Sequence, residues 1–130
     1  MKKIIIIAGS VLVTVFLIGI ATLYFGIRIV VSKNIELAQK KYPGNAEDAL
    51  ITFMMDESNS FNDRTHKAIW TLGVIKSQRA LPFLKSLYKD DPEGKTCYKN
   101  HSSMLCQYEI YKAISTIETG RLFTYERYKK

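Results

Sequence analysis

The stretch IIIIAGSVLVTVFLIGIATLYFGI, Ile4–Ile27, carries no charged residue. As an α-helix rising 1.5 Å per residue it is about 36 Å long, against a bilayer hydrocarbon core of about 30 Å. Helices buried in globular cores are rarely apolar over such a length. Lys2 and Lys3 precede it, Tyr24 and Phe25 lie near its far end, and Arg28 follows. Interfacial aromatics and snorkelling cations occupy such places at membrane boundaries. A cleaved signal peptide has an apolar region of only about 7–15 residues, and no small-x-small cleavage site follows this run. Residues 1–31 therefore read as an uncleaved signal anchor, with the lipid bilayer engaged through residues 4–31.

Outward from the span, the chain becomes ordinary water-soluble protein. All 12 Asp and Glu lie after residue 31, whereas Lys2, Lys3 and Arg28 are three of the 19 Lys and Arg. The net charge of +7 for the chain thus falls to +4 for residues 32–130, and much of the basicity belongs to the membrane flanks. With no arginine-rich run or stacking motif, the composition argues against nucleic-acid binding. About a hundred residues suffice for one domain with one core.

Residues 32–45 read as a juxtamembrane helix and linker, broken at Tyr42-Pro43-Gly44-Asn45. Four amphipathic helices are expected between residues 46 and 120. The first covers Ala46–Asp56, with Glu47 and Asp48 at the positive end of its dipole. The second begins after an Asn62 or Asp63 cap, runs to Leu72 and closes at Gly73 in the left-handed conformation. Ser77 caps the third, in which Leu81, Leu84, Leu87 and Tyr88 form the buried stripe and Pro82 forces a kink. The fourth covers Ser103–Glu118, anchored by Leu105, Tyr108, Tyr111, Ile114 and Ile117, with Gly120 as its stop. Residues 121–130 form a basic aromatic tail that docks through Leu122 and Phe123. No strand pattern follows residue 45, so the fold class is all-α.

Lys67-Ala68-Ile69 recurs as Lys112-Ala113-Ile114, and Thr71-Leu72 as Thr116-Ile117. Ala49-Leu50 likewise matches Ala80-Leu81. The unit is a helical hairpin used twice, with 31 positions between Ala49 and Ala80 and 45 between Ala68 and Ala113. Such periods mark helical solenoids. At Ala68, Leu72, Gly73, Arg79, Ala80, Pro82 and Leu84 the stretch AIWTLGVIKSQRALPFLKSLYKDD resembles HEAT repeats of the short, PBS-lyase-like kind. Those repeats have a Gly-Asp before the Arg, where this chain has Lys76-Ser77-Gln78. The resemblance covers about 25 residues, roughly one hairpin by the periods above. It implies stacked helical hairpins that bind other proteins along a helical surface. Related bilin lyases use much longer solenoids.

Cys97 and Cys106 are the only cysteines. An even number behind an export-type N-terminus suggests a disulfide, worth roughly 2–3 kcal/mol for so short a loop. The alternatives are free thiols, or a metal held by Cys97, His101 and Cys106, which lacks the fourth ligand and the close pairs of a structural zinc site. No metal or cofactor is expected. The positive charges nearly balance across the span, with Lys2 and Lys3 on one side and Arg28, Lys33, Lys40 and Lys41 on the other. The disulfide tips the reading toward a cytoplasmic N-terminus and an extracytoplasmic domain at the cell membrane.

No nucleophile–base pair or phosphate loop appears around His66, His101, Asp63, Glu109 or the carboxylates of Asp90–Glu93, so no catalytic residue is assigned. The functional expectation is a membrane-anchored scaffold or adaptor that binds a protein. Trp70, Tyr88, Tyr98 and Tyr108 are the candidate partner surface. Two alternatives stand beside it: a small accessory subunit whose transmembrane helix is the contact, and an enzyme. The end faces of so short a solenoid lack neighbours, and a second copy of the chain is one way to cover them.

Overall fold

The apolar run forms one helix with no break. In the computed structural model, which describes residues 2–91, 97 and 105–120 (side chains from residue 9 onward), α1 covers Lys2–Lys41. The chain divides into two compact units, Met1–Lys33 and Asn34–Lys130.

In the first unit the large apolar side chains from Val11 to Phe25 are exposed, Leu12 by 72% and Phe16 by 68%. The helix is long and apolar enough to cross a membrane, with a mean hydropathy of 2.3 and none of that window buried. Two of its hydroxyls bond back within the helix. Thr14 donates to the Ser10 carbonyl at 2.9 Å and Thr22 to the Ile18 carbonyl at 2.7 Å.

The second unit begins within α1. Asn34 Nδ2 donates to Thr71 Oγ1 at 2.9 Å, Ala38 is fully buried, and Ile35 and Tyr42 pack against the core. The last turns of the segment expected to be juxtamembrane helix and linker therefore belong to the domain. Chain reversal follows at Pro43-Gly44, where Gly44 has φ +141°. Asn45 caps α2 (Ala46–Met55) by accepting from the Asp48 N–H at 2.9 Å. Ala49, Leu50, Ile51, Phe53 and Met54 form the buried face of α2.

A polar cluster ties the end of α1 to the loop after α2. Tyr42 donates its hydroxyl to Asp56 Oδ2, the Ser58 N–H donates to Asp56 Oδ1 at 2.8 Å, and Asn59 Nδ2 donates to Tyr42 Oη at 2.9 Å. Lys41 Nζ reaches Asn59 Oδ1 at 2.6 Å. The Tyr42 hydroxyl, the Ser58 donors and Lys41 hold the Asp56 carboxyl well below the usual carboxylate range.

The next helix differs most from expectation. Ser60, not Asn62 or Asp63, supplies the cap, accepting from the Asp63 N–H at 3.1 Å. Asp63–Ile69 is π-helical and continues directly into the α-helical α3 (Trp70–Val74). Arg64 is buried on the π segment and its Nε donates to the Met54 carbonyl at 2.7 Å, placing a cation at the negative end of α2. Gly73 does not end the helix. The turn is a Schellman motif three residues later, with Lys76 N–H on the Gly73 carbonyl at 3.1 Å and Ser77 N–H on the Leu72 carbonyl at 3.0 Å. Lys76 takes the left-handed position, φ 55°. Gly73 is instead needed for space, since a Cβ there would lie 3.0 Å from Ala113 Cα and 3.2 Å from Ala113 Cβ.

Ser77 Oγ accepts from the Ala80 N–H at 3.2 Å before α4 (Leu81–Leu87). Pro82 falls in the first turn of α4, where its missing N–H has no intrahelical partner to lose, so it breaks no interior bond and the expected kink has no cause. Leu84 is the fully buried residue of α4, while Leu81, Leu87 and Tyr88 are half-buried.

The last helix is α5 (Gln107–Thr119), closed by Gly120 at φ 71°. Its buried face is Ile110, Ala113, Thr116 and Ile117. The expected anchors advanced by three each time, and that spacing drifts off a 3.6-residue turn, leaving Tyr108, Tyr111 and Ile114 half-buried. Gln107 joins α4 to α5, accepting from the Lys89 N–H at 2.6 Å and donating to the Leu87 carbonyl at 3.2 Å. α5 packs on α3 and α4, and α2 packs on the π segment. Among the described residues there is no strand. Ser103 and residues 121–130 lie outside the described residues.

Two substitutions separate the roles of glycine here, both read by denaturant unfolding of the full chain in detergent. Gly73→Leu overpacks the Ala113 contact and lowers stability by about 1–3 kcal/mol. Lys76→Gly relieves the left-handed backbone and raises it by about 1 kcal/mol. The Asp56 cluster has a pH signature. Because the folded-state pKa is depressed, its stabilisation is complete above the unfolded value of about 3.9 and is lost as pH falls through the folded value. Asp56→Asn is therefore less stable than the parent at pH 7, and the gap narrows as the pH drops below about 4.

Candidate interaction surface

The contact of Gly73 with Ala113 brings α3 and α5 together without intervening side chains, and a shallow cleft opens over that contact. Trp70, Val74, Glu109, Lys112 and Thr116 wall it, and Gly73 and Ala113 form its floor. Its volume is about 70 Å³. Ligand and cofactor pockets run to hundreds of Å³, so the cleft is of a size for one or two inserted side chains.

Trp70 is half-buried. The opposite wall is held in place by two contacts. Lys112 Nζ pairs with Glu109 Oε1 at 2.7 Å and lies 4.6 Å from the centre of the Tyr108 ring. The charges of this wall cancel, so the cleft presents an apolar floor with a neutral polar rim. Such an arrangement suits an apolar anchor from a partner, because insertion desolvates no unpaired charge.

The structure gathers some of the expected surface residues and separates others. Trp70 lines the cleft, and Tyr108 stands behind its wall under Lys112. Tyr88 lies elsewhere, at the end of α4. Its ring centre is 6.1 Å from that of Tyr111, and burial, with Asp90 close by, pushes its hydroxyl pKa up. Tyr88 is half-buried there, apart from the cleft. Tyr98 lies outside the described residues. Val74 was not singled out from sequence, and Glu109, Lys112 and Thr116 were named there for other reasons, since only the facing of two distant helices makes the four neighbours.

Cys97 and Cys106 are at bonding distance, with Cα atoms 4.7 Å apart, a pair placed for a disulfide. Cys106 is buried at the start of α5. His101 lies outside the described residues, and among the described residues no group of three His, Cys, Asp or Glu is placed to hold a metal ion. His66 is exposed, Asp63 is paired with Lys67 at 2.6 Å, and Asp48 is paired with Arg79 at 2.8 Å. The Lys67 ammonium holds the Asp63 carboxyl below its ordinary pKa, as expected of a surface ion pair.

In comparisons with protein families, with curated proteins and with solved structures, nothing matches the chain.

Proposed function

We propose that this protein is a membrane-anchored helical-repeat scaffold whose domain binds another protein and catalyses no reaction. The observation that carries the reading is the Trp70 cleft, an apolar seat with a neutral rim on an otherwise charged domain. The repeat reading draws support from burial. Ala68, Thr71 and Leu72 are buried, and so are Ala113, Thr116 and Ile117 at the matched positions. Ala80 and Leu84, which carry part of the HEAT-like pattern, are buried as well.

The anchor limits where the partner is found. Only residues 29–33 separate Arg28, the charge that ends the apolar run, from Asn34, the first residue packed into the domain. Even fully extended, that length of chain reaches only about 20 Å. The partner is thus met within reach of the membrane surface. The cysteine pair supports an oxidising compartment, with the domain outside the cytoplasm and the N-terminus inside.

A photo-crosslinking residue at Val74, in full-length protein in its own membrane, tests the reading. It should capture a protein partner, and Trp70→Ala should cut capture by 10-fold or more, as loss of an aromatic anchor does. Replacing Ile4–Val31 with an unrelated apolar helix should leave capture intact. Capture only from mid-span positions such as Ile18 would instead favour an accessory subunit held through its transmembrane helix. Sidedness is read by a membrane-impermeant maleimide on intact cells. Labelling should appear only after reduction, whereas labelling only after lysis, without reductant, would put the domain in the cytoplasm.

A further inference from the structure

We propose that Tyr24, Arg28 and Ser32 form a site for the phosphate of a phospholipid headgroup at the end of the span. The inference rests on the membrane reading above and goes beyond it by assigning the residues that fix the depth of the helix. From Ile4 to Tyr24 the helix rises about 30 Å, the thickness of the hydrocarbon core, so the Tyr24 ring reaches the far interface. Arg28, one turn further, is the first charged side chain after Lys3. Its guanidinium carbon stands 5.6 Å from the centre of the Tyr24 ring. A cation–ring contact holds the guanidinium on this face and uses none of its N–H donors.

Those donors meet no carboxylate among the described residues. Glu36, the nearest acid along the chain, is held by Lys40 at 2.9 Å. Ser32, exposed and four positions on, adds a hydroxyl donor to the same helix face. A planar guanidinium with free paired donors, beside a hydroxyl, matches a phosphodiester bidentately. The source is lipid rather than free phosphate because of what lies beneath. Leu17 and Ile20, exposed by 59% and 50%, continue the Tyr24 face toward the middle of the span, and acyl chains cover such a surface where water does not.

The test uses full-length protein with ¹⁵N-labelled arginine in vesicles of phosphatidylcholine and phosphatidylglycerol. Solid-state NMR then reads the dephasing of guanidinium ¹⁵N by lipid ³¹P. Dephasing is expected in the parent, and in Arg28→Gln it should fall to the background of the remaining arginines. Tyr24→Ala, which keeps the charge, should lose at least half of it, and Ser32→Ala less. Tyr24→Ala carries the comparison if Arg28→Gln inserts poorly. Dephasing unchanged in both would overturn the proposal. So would equal dephasing by inorganic phosphate in a phosphate-free detergent, which would make the site one for free phosphate. Resistance to alkaline carbonate extraction is scored separately. If the parent protein is extracted, the membrane reading fails; if it resists but shows no dephasing, only the headgroup site fails.

Discussion

The domain is organised by one close approach. Where α3 meets α5 there is no room for a side chain on Gly73, because Ala113 occupies the place a Cβ would take. With both helices that near, Leu72 and Ile69 from one side and Ile110 and Ile117 from the other become fully or almost fully buried in a single core. α4 then covers α5 through Leu84, and α2 covers the π segment through Leu50 and Met54. The same approach leaves the Trp70 cleft on its outer side, so the packing and the cleft are two consequences of one pair of small residues.

Two features show the cost of that arrangement. On the π-helical stretch Asp63–Ile69 the Thr65 hydroxyl is buried with no hydrogen-bond partner among the described residues. π-helical turns strain the backbone ladder and persist only where tertiary contacts favour them. Here the π register coincides with Arg64 turned inward onto the Met54 carbonyl and with Ala68 and Ile69 in the core. The Schellman turn likewise places Lys76 where glycine is preferred, which frees Gly73 for the helix contact one turn earlier.

Much of this was legible in the residues. The apolar run, the helix after Asn45, the Ser77 cap and the Gly120 stop follow from local chemistry, and local chemistry is what a sequence displays. The paired cysteines were legible too, because nine positions are easily brought within bonding distance. Features that depend on tertiary contact were not. Gly73 followed by a turn reads as a helix stop, and only the position of Ala113 turns it into a spacer. Pro82 reads as a kink until Leu81 is known to start the helix. Residues 32–45 read as a juxtamembrane helix and linker, and only the packing of Ile35 and Ala38 joins that stretch to the domain core. Of the cleft, Trp70 could be suspected as a large amphipathic residue, whereas Val74 and Thr116 carry no local signal.

The claim that most needs measurement is that the cleft over Gly73 and Ala113 is where the partner sits. Hydrogen exchange read by mass spectrometry compares the full-length protein in its own membranes with the purified protein in lipid alone. The account predicts slower exchange in the native membranes for amides of Trp70–Val74 and Glu109–Thr116, with Val11–Phe25 unchanged. Equal exchange on α3 and α5 in the two settings, with added protection confined to the span, would contradict it.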